Sequence, residues 1–458
     1  MQIPTNLIQI QNIINRNKEL FWNIVGSFGV KGLAMLVNFA SLPAYLSYFP
    51  DQRILGVWFT IISVFNWLLT FDLGIGNGLR NLIVQPLLQN DFQKVKEYIS
   101  TAYITIGLIC LILGIIFFIS IQYIDWNNML NVSIEIVSMD VLRNSISVIL
   151  STVLLQLFLR LILSILYALE KTTISNSLSL ISNLLILIFL LTNKEENVSS
   201  KLFSLCLVYF LAINIPLFVA SILVFGFTAL KNTKPNITSY RSAYSSKILK
   251  LGFIFLAIQI SLLIINSADE LLILKLYSPE DVVGYQVYFK IFSIFLVLFS
   301  LITIPIWSAV TRANEEKRFL WIRKIYKLMN ITGVLFMLMI VLTILFFRDI
   351  IFIWIGSDII EIKTSTTILF GLYYSMMIFI YSANCLANGM SKLKPQLIIT
   401  STAALIKIPL IIILSKYYNN WNIVVIINIF LMIPALIIQP TINIKELKEQ
   451  QLFLSTRK

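Results

Sequence analysis

The chain has 458 residues, of which 58% are hydrophobic and 12% are charged, and its mean hydropathy is +0.87. Soluble domains carry about 25% charged residues, so this composition excludes a soluble globular protein. The formal net charge is +13 and histidine is absent, which removes the commonest metal ligand and the commonest general base near neutral pH. We therefore expect no metal site and no cofactor, and a coupled proton would have to use a carboxylate.

Twelve apolar segments follow one another along the chain, and each is long enough to cross a membrane. A hydrocarbon core about 30 Å thick requires about 20 helical residues per crossing. The predicted spans are 22–49, 54–79, 98–124, 144–169, 174–192, 202–228, 251–276, 284–311, 328–350, 366–389, 396–415 and 422–440. The sequence therefore predicts an all-α polytopic membrane protein with 12 transmembrane helices.

The connectors divide these helices into two groups of six. The predicted parts are a cytoplasmic N-terminal segment (1–21), an N-lobe (22–228), a basic cytoplasmic linker (229–250), a C-lobe (251–440) and a cytoplasmic basic tail (441–458). A Tyr-x-Pro-acid turn occurs at 48–51 and again at 277–280, which is 229 positions later and half the chain length. Transporters place substrate sites between such repeats, so a substrate site is expected between the two groups of six helices.

Lysine and arginine are distributed unevenly between alternate connectors. With a cytoplasmic N-terminus, 23 of them fall in the inner connectors and tails and 8 in the outer connectors. This bias predicts that both termini are cytoplasmic. It also explains most of the net charge, so nucleic acid is not expected as a partner. The basic tail from Lys445 to Lys458 is expected to lie on anionic lipid.

Several charged residues are predicted to lie within the spans, where each costs roughly 2.5 kcal/mol or more unless it faces a polar interior. We predict a cationic substrate cavity from Lys31, Arg160, Lys290 and Lys407. Asp72, Asp269 and Glu270 are the predicted coupling or gating carboxylates. Two alternatives stay open. Lys290 is at a depth that suits an ion pair with Asp269 or Glu270, whereas Lys31, Arg160 and Lys407 have no obvious partner except Asp72 and would otherwise snorkel to the interface.

The end of the second span, FDLGIGNGLRN at 71–81, contains three glycines at alternate positions. Glycine weakens a helix and lets backbones approach closely. Gly74, Gly76 and Gly78 are therefore predicted to form a hinge, with Gly74 and Gly78 on one small face for helix packing. The alternative is a capped helix end with Arg80 at the membrane interface.

The same segment, preceded by GVW at 56–58, resembles the second-helix signature of bacterial polysaccharide transporters, the O-antigen-unit flippases. The segment IPIWSAVT at 304–311 is similar to the Pro-x-Trp-Ser-Ala segment of that family, and NGMSKLK at 388–394 is similar to its Asn-Gly-x-x-Lys-x-Lys turn. The resemblance covers the whole chain. It implies the fold of the multidrug/oligosaccharidyl-lipid/polysaccharide (MOP) exporters, with two six-helix lobes around a central cavity. It also implies residence in the bacterial cytoplasmic membrane.

The resemblance further implies a function. The chain is expected to be an ion-coupled flippase that works by alternating access, and not an enzyme. Its expected substrate is an undecaprenyl-pyrophosphate-linked oligosaccharide. That oligosaccharide would be an O-antigen or capsule repeat unit, used in the biosynthesis of lipopolysaccharide or another polysaccharide. A polysaccharide polymerase and a chain-length regulator are partners that the resemblance suggests. Sugars could stack on the aromatic side chains of the spans. The candidates are Trp67, Tyr285, Tyr288, Tyr373 and Tyr374. The alternative is that these side chains pack in the protein core or lie at the membrane interface.

Three other functions compete with the flippase. A multidrug or cation antiporter of the same superfamily would need an acidic, aromatic cavity, whereas the embedded charges are four cations and three carboxylates. A membrane O-antigen polymerase or ligase would be expected to carry a sizeable outer loop, and the longest outer connector covers only 125–143. A scaffold without transport activity would not explain the embedded charges.

Overall fold

The computed structural model describes residues 5–49, 54–55, 57–59, 61–62, 74–129, 134, 137–193, 198–277, 279–355 and 362–455. Within these ranges the secondary structure is helical, with turns and no strand. Eleven described helices are long and apolar enough to cross a membrane. They correspond to every predicted span except 54–79, which lies largely outside the described residues. The expected all-α polytopic class is confirmed.

The helices of the first half are α1 (Thr5–Tyr48), α2 (Ile75–Leu82), α3 (Val84–Leu88), α4 (Phe92–Ser120), α5 (Trp126–Met129), α6 (Met139–Leu159), α7 (Leu161–Ala168), α8 (Thr172–Thr192) and α9 (Val198–Phe227). Those of the second half are α10 (Ser242–Leu276), α11 (Pro279–Glu315), α12 (Phe319–Leu345), α13 (Phe347–Ile355), α14 (Thr364–Gly389), α15 (Lys394–Ser415) and α16 (Asn422–Ser455). Many are longer than predicted because the helical hydrogen bonds continue past the apolar stretch into polar sequence.

The chain forms two compact units, residues 1–253 and 254–458, which divide inside α10. In unit 1, α1 packs along α8, and α6 packs along α9. In unit 2, α14 packs against α11, α12 and α16, and its Phe370 and Met377 are buried in one apolar core. Large apolar side chains such as Ile112 and Leu338 are exposed on helices of both units, as expected for surfaces that contact lipid tails.

The segment before α10 is held against α4 by side chains. Arg241 forms a two-pronged ion pair with Glu97, at 2.9 and 3.1 Å, and its backbone N–H donates to Thr101 Oγ1. The backbone N–H of Asn236 donates to Ser100 Oγ, and the ring of Tyr244 stacks on that of Tyr98 at 4.2 Å. This part of the predicted linker 229–250 is therefore docked on unit 1, and α10 already begins at Ser242.

The glycine-rich segment allows close helix packing. Gly74 precedes α2 with φ of 64°, a left-handed conformation that disfavours other residues. A Cβ atom on Gly78 would lie 3.1 Å from the carbonyl oxygen of Ile248, and one on Gly76 would collide with Ser164. The small packing face is present, while the hinge function stays a prediction. Arg80, which we expected at the interface, is instead 2% exposed, with its guanidinium 4.9 Å from the ring of Tyr167.

Candidate functional site

Charged side chains buried inside the described residues mark the first candidate site. Three are buried: Arg80, Asp269 and Lys407. An unpaired charge is costly to remove from water, and more so where hydrocarbon surrounds the protein. Each buried charge should therefore have a counter-charge or several hydrogen bonds.

Asp269 on α10 and Lys407 on α15 form a buried ion pair in unit 2. The Lys407 Nζ atom lies 2.5 Å from Asp269 Oδ1, and both side chains are almost inaccessible to solvent. Lys407 also donates to the backbone carbonyl of Ile265, one helical turn before Asp269. The ammonium is thus bound by a carboxylate and a carbonyl that the same helix supplies.

The second carboxylate oxygen of Asp269 is also satisfied. Its Oδ2 atom accepts a hydrogen bond from Asn428 Nδ2 on α16 at 2.7 Å and another from Tyr285 Oη on α11 at 3.1 Å. Four helices of unit 2 are therefore joined at one buried carboxylate. We call Asp269, Lys407, Tyr285 and Asn428 the Asp269 cluster.

The Asp269 cluster lies within the apolar core of unit 2. The ring of Tyr285 packs near Phe370 and Trp421, and Tyr288 stacks between Phe347 and Phe370. Tyr373 and Tyr374 are buried in the same core. The packing alternative therefore holds for the four predicted tyrosines, and Trp67 lies outside the described residues.

The structure decides two alternatives that the sequence left open. Asp269 pairs with Lys407, for which the sequence suggested no partner except Asp72, and Lys290, the suggested partner of Asp269 or Glu270, is exposed. The reason is depth: α11 begins at Pro279, so Lys290 lies eleven residues from its start, not the six that the predicted span gave. The four cluster residues all lie six to eight residues from an end of their helices.

The remaining predicted site residues are dispersed. In unit 1, Lys31 is half-buried on α1, and Arg160 is half-buried where α6 gives way to α7. In unit 2, Glu270 is half-buried on α10. Asp72 lies outside the described residues. Among those described, histidine, cysteine and carboxylate side chains form no group that could hold a metal ion.

A second candidate site, in unit 1, was missed by a search that considered only charged residues. It is a cavity of about 210 Å³, which we call the α1–α8 cavity. Its lining residues are Asn38, Ser41, Tyr45, Phe59, Asn183, Ile186 and Tyr209. None of them is charged. The available signal was the presence of two asparagines inside apolar spans, where polar side chains commonly face a protein interior.

Comparison with known proteins gives a match to a protein family and a similar sequence. Residues 254–413 match the family model named MatE. A protein of Salmonella typhimurium named "Putative O-antigen transporter" is 23% identical over 387 residues, which cover 81% of this chain and 84% of that protein.

The fold is similar to solved transporter structures. A MATE protein in the bent conformation has a TM-score of 0.77 at 14% identity, with 95% of this chain and 96% of that chain covered. A MOP superfamily transporter from Pyrococcus furiosus has a TM-score of 0.72 at 14% identity, with 95% and 96% covered. The MATE transporter VcmN of Vibrio cholerae, in the bent form, has a TM-score of 0.66 at 13% identity, with 95% and 98% covered. The chain therefore carries a MatE domain at 254–413 and has the fold of solved MATE and MOP transporters, and its apolar helices are those of a multi-pass membrane protein.

Proposed function

We propose that the transporter flips an undecaprenyl-pyrophosphate-linked oligosaccharide across the bacterial cytoplasmic membrane, with both termini in the cytoplasm. A pyrophosphate with a chain of sugar hydroxyls cannot cross hydrocarbon unaided, because each unsatisfied polar group costs several kcal/mol. The similarity to the Salmonella typhimurium protein, which extends over 81% of the chain, supports this substrate. The three sequence segments that resemble polysaccharide transporters support it independently.

The observation that carries the proposal is the charge state of the interior. Asp269 is the buried carboxylate of the described residues, and Lys407 already neutralises it. The described residues that line the α1–α8 cavity are neutral. Among the described residues of these two sites, an organic cation would find no free buried carboxylate, whereas a neutral glycan would not need one.

The competing function is export of cationic drugs, as suggested by the MATE transporters among the similar structures. For the Pyrococcus furiosus protein, a reverse polarity of the binding pocket is described as suggesting a different function. Pocket polarity therefore differs among proteins with this fold. The interior charges of the described residues favour a glycan over a cation.

We assign the pyrophosphate to basic side chains. The candidates in unit 1 are Lys31 and Arg160, which are both half-buried, and the candidate in unit 2 is Lys290, which is exposed on α11. Lys407 differs because Asp269 occupies its ammonium. Its proposed role is to hold Asp269 as a gating pair, which a proton on Asp269 would weaken by removing the negative charge.

Flipping in reconstituted vesicles tests this function. The substrate is a short undecaprenyl-pyrophosphate-linked glycan, and the variants are Arg160→Ala and Lys416→Ala. We expect wild type and Lys416→Ala to flip the lipid equally, because Lys416 is exposed at the end of α15. Arg160→Ala should be slower by about tenfold or more, since a charge-assisted contact is worth about 1.5–3 kcal/mol.

Two other outcomes would change the conclusion. If Arg160→Ala flips as fast as wild type, Arg160 does not contact the pyrophosphate. If wild type fails to flip the lipid but the same vesicles extrude an organic cation, the antiporter replaces the flippase.

A further inference from the structure

The α1–α8 cavity contains polar groups to which the described residues offer no hydrogen bond. Asn38 lies on α1, and Asn183 lies at the middle of α8, so both are inside apolar spans. Neither carboxamide has a hydrogen-bond partner among the described residues. Helices in a membrane normally satisfy such groups internally, since no water is available in the hydrocarbon. These amides therefore have capacity for a ligand or for water.

The geometry directs these amides into one space. Asn38, Ser41 and Tyr45 are spaced three and four residues apart, which places them on one face of α1. Asn183 and Ile186 present the corresponding face of α8. Asn38 is exposed and Phe59 is 39% exposed, so the cavity is open on one side.

Aromatic side chains form the rest of the wall. The hydroxyl groups of Tyr45 and Tyr209 share a hydrogen bond of 2.7 Å, which fixes both rings. Trp58 packs edge-on against Tyr209 at 4.8 Å, and Phe59 packs edge-on against Tyr45 at 5.8 Å. This wall is rigid and apolar, and it faces two amides that each donate and accept hydrogen bonds.

This combination matches a neutral sugar ring. A carboxamide can donate to one hydroxyl and accept from its neighbour, and the C–H faces of a sugar suit an aromatic wall. The cavity volume of about 210 Å³ lies below the range of about 300–1,000 Å³ that is typical of pockets for drug-sized ligands. A charged head group would find no counter-charge on the described lining residues.

We propose that the α1–α8 cavity is a sugar-binding subsite that takes one uncharged pyranose ring, with Asn38 and Asn183 as its hydrogen-bonding residues. The inference rests on the proposed function, because the ring would belong to the carried glycan. It extends that function by assigning recognition of the sugar, as distinct from the pyrophosphate, to α1 and α8.

Saturation-transfer NMR on the purified full-length protein in lipid nanodiscs tests the subsite. The probes are the methyl β-glycosides of glucose, galactose and N-acetylglucosamine. Wild type should transfer saturation to the ring protons of at least one probe. The double variant Asn38→Leu/Asn183→Leu should weaken its binding by about tenfold, as the loss of two hydrogen bonds predicts.

The matched control is Ser177→Ala, also on α8, whose hydroxyl group bonds to the carbonyl of Thr173 in its own helix. It should bind as wild type does. Phe59→Ala is a second test that removes stacking from a partly exposed position, and it should also weaken binding. Equal binding by wild type and the double variant, or no transfer to any probe, would overturn the subsite.

The flipping assay on the same preparations separates this inference from the proposed function. Flipping of the lipid-linked glycan without binding of any glycoside overturns the subsite and leaves the function standing. Glycoside binding that depends on both asparagines, in a protein that does not flip the lipid, supports the subsite and rejects the function.

Discussion

The polar groups of the Asp269 cluster and those of the α1–α8 cavity differ in how they are satisfied. In the cluster, one buried carboxylate is bound by an ammonium, a phenol and an amide from three other helices. In the cavity, two amides face an open space with no partner among the described residues. A satisfied network resists change because every removal leaves a buried group unpaired. Amides without a partner can be replaced without leaving another buried group unpaired, and they are available to bind a ligand.

The largest expected effect comes from Lys407→Met. It leaves Asp269 buried without its counter-charge, and breaking a buried pair typically costs about 3–5 kcal/mol. Thermal unfolding in detergent, followed by tryptophan fluorescence, should show a strongly lowered midpoint. Lys290→Met is the control, and a change within about 0.5 kcal/mol is expected at this exposed position.

The double variant Asp269→Asn/Lys407→Met sharpens this result. It removes both charges and retains an acceptor for Tyr285 and Asn428, so much of the lost stability should return. If Lys290→Met proved as damaging as Lys407→Met, the assignment of the ion pair would be wrong.

A smaller effect is expected from Tyr285→Phe. The ring remains in its packing site against Phe370, and only the hydroxyl that donates to Asp269 Oδ2 is removed. A hydrogen bond to a charged group is worth about 1.5–3 kcal/mol. The unfolding midpoint should therefore fall by less than in Lys407→Met. Tyr288→Phe is not a matched control, because Tyr288 Oη accepts from the backbone of Lys363.

The smallest effect is expected from Asn38→Leu/Asn183→Leu. Because neither amide has a partner in the described residues, their replacement should change stability by no more than about 0.5 kcal/mol. The same unfolding measurement applies. A large loss of stability would mean that the asparagines hold the fold together, and the contrast between the two sites would disappear.

The sequence predicted the class and most of the helices because 20-residue apolar stretches allow few other structures. The sequence did not predict which charged residues form the buried ion pair. The depth of a charged residue was counted from the edge of an apolar stretch, and α11 begins five residues before the predicted edge at 284. That shift made Lys290 appear to lie at the depth of Asp269. The ends of the spans that carry Asp269 and Lys407 agree with the structure, so their similar depth was present in the sequence, but depth alone does not show which helices are neighbours.

The α1–α8 cavity was missed for a different reason. A charge inside a span is conspicuous, whereas an asparagine such as Asn183 is one polar residue among many in an apolar helix. Its significance depends on whether it has a partner, and that depends on the face of a neighbouring helix. Periodicity within one helix carries no information about that face.

The docking of the segment 236–244 on α4 has a consequence for dissecting the molecule. The polar stretch near Lys234 looks like the natural place to divide the gene into two co-expressed halves. However, Arg241, Tyr244 and the start of α10 belong to the first unit. A cut there would remove from the first fragment a piece of its own structure and attach it to the second. Fragment complementation should therefore work better when both fragments carry residues 236–253.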